Sequence, residues 1–146
     1  MKDYHARAQR MNIEGMRVAI YRNLTKNCFS VKAMEGEHYG KVVAHVPLDA
    51  RFQLLNAEYR VGEKTRDKVR REGKKYVHAV VVGIFRNKPK GSEDFRITYN
   101  PYTHDYFQTV VNGETHEVFK TDSAIFNQGQ VYGTGSLIGQ TKQEVA

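Results

Sequence analysis

The sequence holds one cysteine, Cys28, and no tryptophan among its 146 residues. A lone thiol excludes an intramolecular disulfide and any zinc site built from several cysteines. No apolar run approaches the roughly 18 residues of a membrane span. The opening stretch, MKDYHARAQRMNIEG, has no apolar segment of the kind a secretory signal requires. With no secretory route, the Asn-x-Thr triplet at Asn23–Thr25 reads as accidental, and a cytoplasmic protein is expected. Catalytic signatures are missing too. The glycine-rich GQVYGTGSLIG has neither the spacing of a dinucleotide fingerprint nor the lysine of a P-loop. None of the six histidines pairs with another at the i, i+4 spacing of a helical zinc motif.

What is present fits one folded domain. Hydrophobic residues make up 40% of the chain, with nine tyrosines and seven phenylalanines as bulky core material. Residues 1–15 read as a polar arm or short helix, 16–133 as a single α+β domain, and 134–146 as a flexible tail. MRVAIYRN and CFSVKA alternate with period two on either side of the turn LTKN, a hairpin signature. KVVAHV follows as a third strand closed by Pro47, and ARFQLL as a short fourth. KYVHAVVVGIF is apolar on both faces, the pattern of a central strand. FRITYN, YFQTVV, HEVFK and AIFNQGQVYG complete the set, separated by Asn-Pro, Asn-Gly and Thr-Asp turns, with Asn112-Gly113 bending a hairpin. One helix is expected over Asn56–Gly73, with Asn56 as N-cap and Gly73 as stop. The fold class is therefore α+β: a strand-rich, mostly antiparallel curved sheet or small barrel carrying one surface helix.

Three stretches carry a family likeness. VAIYRNLTKNCFSV, GKVVAHV with GKKYVHAVVVG, and ITYNPYTHDYF together resemble small uncharacterised bacteriophage proteins. Their shared pattern is a Y-R-N-L-x-x-x-x-F-S-V start, a K-x-V-H-A middle and a T-Y-N-P-Y stretch. The resemblance spans roughly Met16 to Phe107. It implies a phage origin and residence in the cytoplasm of an infected bacterial cell, and it transfers no catalytic residue.

The formal charge is +7 and the sequence pI about 9.5. Between Glu58 and Lys75 eight basic residues outnumber four acidic ones. That excess of four is over half the net charge in about one-eighth of the chain. A solvated helix with mixed charge accounts for such a run. So does phosphate binding through Arg66, Arg70, Arg71, Lys74 and Lys75, helped by Arg22, with Tyr99 and Tyr102 stacking on bases. His104 belongs to the same candidate set. If TYNPYTHDYF is a loop, His104 and Asp105 could act as an acid–base pair on a phosphate ester. If it is a strand, the two face opposite ways and cannot. His45 and His78 sit inside apolar strands and read as satisfied core or sheet-pairing residues, and Cys28 as a small core residue.

The leading expectation is a small basic, non-enzymatic phage accessory protein that binds nucleic acid through phosphate contacts, without strong sequence preference. It needs no cofactor, no metal and no membrane. The alternative is an anti-defence or host-takeover protein that inhibits a host enzyme or sequesters a nucleotide. A virion component is the third reading, and a hydrolase using His104 the fourth.

Overall fold

Nine strands form one sheet. In the computed structural model residues 12–141 are described. β1 (Arg17–Asn23), β2 (Cys28–Ala33), β3 (Val42–Pro47) and β4 (Phe52–Val61) come first. The helix α1 (Glu63–Glu72) follows, then β5 (Ala79–Arg86), β6 (Phe95–Ile97), β7 (Gln108–Val111), β8 (Glu114–Asn127) and β9 (Gln130–Thr141). Every pairing is antiparallel, in the order β3-β2-β1-β5-β4-β8-β9-β6, with β7 also on β8. The strand-rich α+β arrangement read from the sequence is the one observed. β5, apolar on both faces, lies in the interior of the sheet between β1 and β4.

The sheet is rolled. β2 and β8 are four strand spacings apart, which on a flat sheet is about 19 Å. Yet the rings of Phe29 on β2 and Phe126 on β8 meet edge-to-face with centroids 5.2 Å apart. Phe52 stacks on Phe126 at 4.6 Å and on Phe85 at 5.3 Å, so four phenylalanines fill the concave side. Register shifts bend the strands, two of them near the core. In β4 the register shifts between Leu55 and Glu58, where Asn56 adopts φ 52, and in β8 it shifts between Thr121 and Ser123. Gly83 on β5 lies beside the first bulge, and a Cβ there would sit 2.7 Å from the Leu55 carbonyl oxygen. At the far end Thr98 and Gln108 exchange backbone hydrogen bonds of 2.9 Å, tying β6 to β7.

Local turn chemistry behaves as the sequence reads. Asn112 and Gly113 take φ of 51 and 80 and bend β7 into β8. Gly73 takes φ 70 and its N–H closes α1 on the Val69 carbonyl.

Several boundaries differ from the sequence reading, among them the start of KYVHAVVVGIF, whose strand begins only at Ala79. The helix begins at Glu63, not near Asn56, because Phe52, Leu54, Ala57 and Tyr59 bury into the core as β4. Asn56, read as an N-cap, forms the bulge, and Gly62 stands at the true N-cap without a side-chain cap. Thr121-Asp122, read as a turn, is the bulge inside β8. Residues 134–141, read as tail, continue β9, because the 14-residue β8 offers a partner as far as His116↔Thr141. At the other end Ile13 is buried in the core and the Gly15 N–H donates to the Phe85 carbonyl at 2.8 Å, so the folded part extends before Met16. The remainder of the expected arm, 1–11, and of the expected tail, 142–146, lies outside the described residues.

Candidate functional site

α1 turns two of its arginines inward, onto the loop that joins β6 to β7. The Arg66 side chain is only 10% exposed. Its Nη1 donates to the Asp105 carbonyl at 2.8 Å, and its Nε and Nη2 reach Asp67 at 3.3 Å. Arg70 donates to the carbonyls of Pro101 and His104, the latter at 2.8 Å, and to the Asp105 carboxylate at 3.1 Å. Tyr106 donates to Glu63 on the same helix. Within the loop the Asn100 N–H donates to His104 Nδ1 at 2.9 Å, and the Asn100 side chain accepts from the Tyr102 N–H at 2.9 Å.

This geometry reassigns four residues. Arg66 and Arg70, read as phosphate binders, have donors committed to loop carbonyls. His104 and Asp105 do lie in a loop, but one holds the Asn100 turn and the other the Arg70 guanidinium. The structure gives them a part in shaping the loop.

The loop held in this way is one wall of a groove. The other walls are the β1 end with its following turn, and the segment between α1 and β5. The groove encloses about 350 Å³, with Tyr21, Tyr76, Tyr99 and Tyr102 around it. Leu24, Val77 and Tyr102 are exposed apolar side chains along it. A second hollow of about 390 Å³ extends it toward Thr25. Arg22 and Lys75 line both, and no Asp or Glu lines either. The stretches YRNL, KYVHA and TYNPY, distant in sequence, thus meet at one place.

Its polar groups are set by their neighbours. A backbone carbonyl can only accept, so the 2.8 Å contact of His78 Nδ1 with the Tyr76 carbonyl puts the proton on Nδ1. In the neutral ring Nε2 is then the acceptor for the Tyr99 hydroxyl, also at 2.8 Å. Burial pushes the Tyr99 phenol above its ordinary value, with Arg66 and Arg70 pulling it back. The Tyr76 phenol is raised as well, because it donates to the Glu72 carboxylate at 3.0 Å. Both phenols stay protonated around neutrality. The Lys68 ammonium lies 4.6 Å from the Tyr76 ring centroid, so that ring already has a cation on it.

Of the nine residues singled out from the sequence, Arg22, Lys75, Tyr99 and Tyr102 line the groove. Arg71, 69% exposed, and Lys74 stand at the open end of α1. Tyr21, Tyr76, Leu24, Val77 and His78 were not singled out. The available signal was their place in the same three stretches, each of which carries a tyrosine.

Of the two histidines read as lying inside apolar strands, His45 is the buried strand residue expected, whereas His78 lies before β5 and lines the groove. His45 Nδ1 lies 3.1 Å from Ser30 Oγ and 3.8 Å from Cys28 Sγ, all three buried. His45 is on β3 and His78 precedes β5, two strands further across the sheet than a pairing would allow. Burial pushes the Cys28 thiol up, against the smaller opposing pull of Lys26, Ser30 and Arg22. A thiol reagent is therefore expected to modify Cys28 only as fast as the protein unfolds, so its rate should track denaturant concentration. Fast labelling of the native protein would contradict this burial. Among the described residues no group of three or more His, Cys, Asp or Glu could hold a metal ion, and no helix is long and apolar enough to cross a membrane.

The family model described as Mycobacterium phage L5 gene 82 protein matches residues 11–134, and the chain belongs to that family. It is a bacteriophage protein. The Gene 82 protein of Mycobacterium phage L5 is 36% identical over 104 residues, covering 66% of this chain and 80% of that one. No solved structure matches. The matched region contains α1 and all three walls of the groove.

Proposed function

We propose that the protein binds single-stranded nucleic acid without catalysis and without strong sequence preference, in the cytoplasm of the infected bacterium. The observation that carries this is the groove's lining: four tyrosines, Arg22 and Lys75, and no carboxylate. Aromatic faces accept any base, and cations beside them meet the phosphates. Paired bases hide the faces these rings would stack on, which favours an unpaired strand. Arg71 and Lys74 extend the cationic rim beyond Lys75.

The test is direct because the chain has tyrosine and no tryptophan. Tyrosine emission is expected to be quenched by an oligothymidylate, with affinity falling as salt rises, by a log–log slope of about −0.7 per phosphate contacted. The triple variant Arg71→Gln, Lys74→Gln, Lys75→Gln should stay folded, since such surface changes alter stability within about 0.5 kcal/mol each. Its slope should be shallower by up to about 2. Wild-type affinity and slope in that variant would remove these cations from the interface.

One observation favours a second reading. Leu24 and Val77 are exposed beside the groove, and a host protein could dock an apolar side chain there. That reading predicts binding to a host enzyme that is nearly flat with salt, and no quenching by an oligonucleotide.

A further inference from the structure

Beside the groove lies a third hollow, of about 250 Å³. It shares Tyr21, Arg22, Ala79 and Tyr99 with the groove, so the two adjoin. Aromatic pairs line it: Phe29 against Phe126 at 5.2 Å, and Tyr99 against Phe107 at 5.1 Å. Ile20, Val81, Ile97 and Val131 supply apolar surface. No Asp, Glu or Lys lines it, and Arg22 is its one charged residue. Gln130 brings an amide whose Oε1 accepts from Arg96 at 2.9 and 3.1 Å, which leaves its NH₂ group to donate to a ligand.

We propose that this hollow is a pocket for a single nucleobase, set against the groove at Ala79 and Tyr99. The proposal rests on the groove being a nucleic-acid site. A cavity below the usual lower bound of about 300 Å³ for drug-sized ligands has room for one ring system and not for a folded strand. Ring faces and aliphatic walls suit a planar heterocycle, and the Gln130 amide can meet a base carbonyl or ring nitrogen. The phosphate of the same nucleotide stays at the mouth, where Arg22 stands. The ligand class is therefore a nucleotide with an unstacked base, either the end of a strand or a free nucleoside monophosphate.

The experiment uses the full chain with ¹³C-labelled Ile, Leu and Val methyl groups. Ile97 and Val131 report on the hollow, Leu24 and Val77 on the groove. Adenosine and uridine monophosphates and a thymidylate 12-mer are titrated separately, with decanoate as an apolar control. Shifts of Ile97 and Val131 with a monophosphate show that a free nucleotide enters. The same shifts with the 12-mer alone show that only a strand end does, and either result supports the pocket. Shifts of Leu24 and Val77 with Ile97 and Val131 unmoved overturn the pocket and leave the groove reading standing. No shift with any nucleotide overturns both. Decanoate moving Ile97 and Val131 where nucleotides do not assigns the hollow to an acyl chain and overturns the proposal. Ala79→Leu narrows the hollow and should lower monophosphate affinity by about tenfold or more. Where a monophosphate moves Ile97 and Val131, no loss of its affinity in this variant counts against the pocket.

Discussion

Arg66→Ala is expected to lower stability by about 2–3 kcal/mol, the upper range for hydrogen bonds from a charged donor. In a chain of this size that is roughly 6–12 °C in Tm. Arg66 is one of eight basic residues in its segment, yet its side chain is nearly as buried as the core and holds the Asp105 carbonyl at 2.8 Å. Removing it leaves that carbonyl short of a donor and strips the packing of the long aliphatic stem. Arg71→Ala, at a side chain 69% exposed, should leave the melting curve within about 0.5 kcal/mol of wild type. The binding experiment separates two roles for Arg66. If it holds the loop that carries Tyr99 and Tyr102, oligonucleotide affinity falls while the salt slope stays the same. If it touched a phosphate, the slope would drop by about 0.7. A variant with wild-type Tm and a shallower slope would restore Arg66 to the interface and undo the clamp described here.

How much of this was legible depends on the range over which each feature is encoded. Hairpins were, because Asn112-Gly113 and the LTKN turn fix their conformation within a few residues. The start of the helix was not. Asn56 next to an alternating segment reads as a cap, and only pairing with β5 and β8 makes it a bulge. β9 was missed beyond Gly133 because its glycines and polar residues have little strand signal of their own. It is ordered by the long β8 beside it. For the site, counting charge located the basic segment but not the direction of its side chains. Arg66 and Arg71 look alike in sequence and have opposite fates. The groove assembles only when the sheet rolls and brings Tyr21, Tyr76 and Tyr102 together across more than 80 residues of chain. No local pattern encodes that meeting. The three stretches that carry the phage likeness each contributed one wall.

Tyr102→Ala is expected to weaken binding of a thymidylate 12-mer by about five- to 150-fold, the span of one lost base–aromatic stack of 1–3 kcal/mol. Tyr102 is the clean choice among the four tyrosines. Tyr102 is 57% exposed, and its hydroxyl's hydrogen bond, to the Val69 carbonyl, is long at 3.5 Å. Tyr99, in contrast, packs on Phe107 and hydrogen-bonds His78, so truncating it would disturb the wall itself. The fold of the Tyr102 variant should be unchanged, with Tm shifted by a few degrees at most. Because the ring contacts a base and not a phosphate, the salt slope should match wild type even as affinity falls. Tyr102→Phe keeps the ring and should bind within about twofold of wild type. If Phe loses as much as Ala, the hydroxyl is the contact and stacking is the wrong mechanism. If Ala binds as tightly as wild type, bases do not rest on this wall, and any nucleic acid the protein holds is held elsewhere.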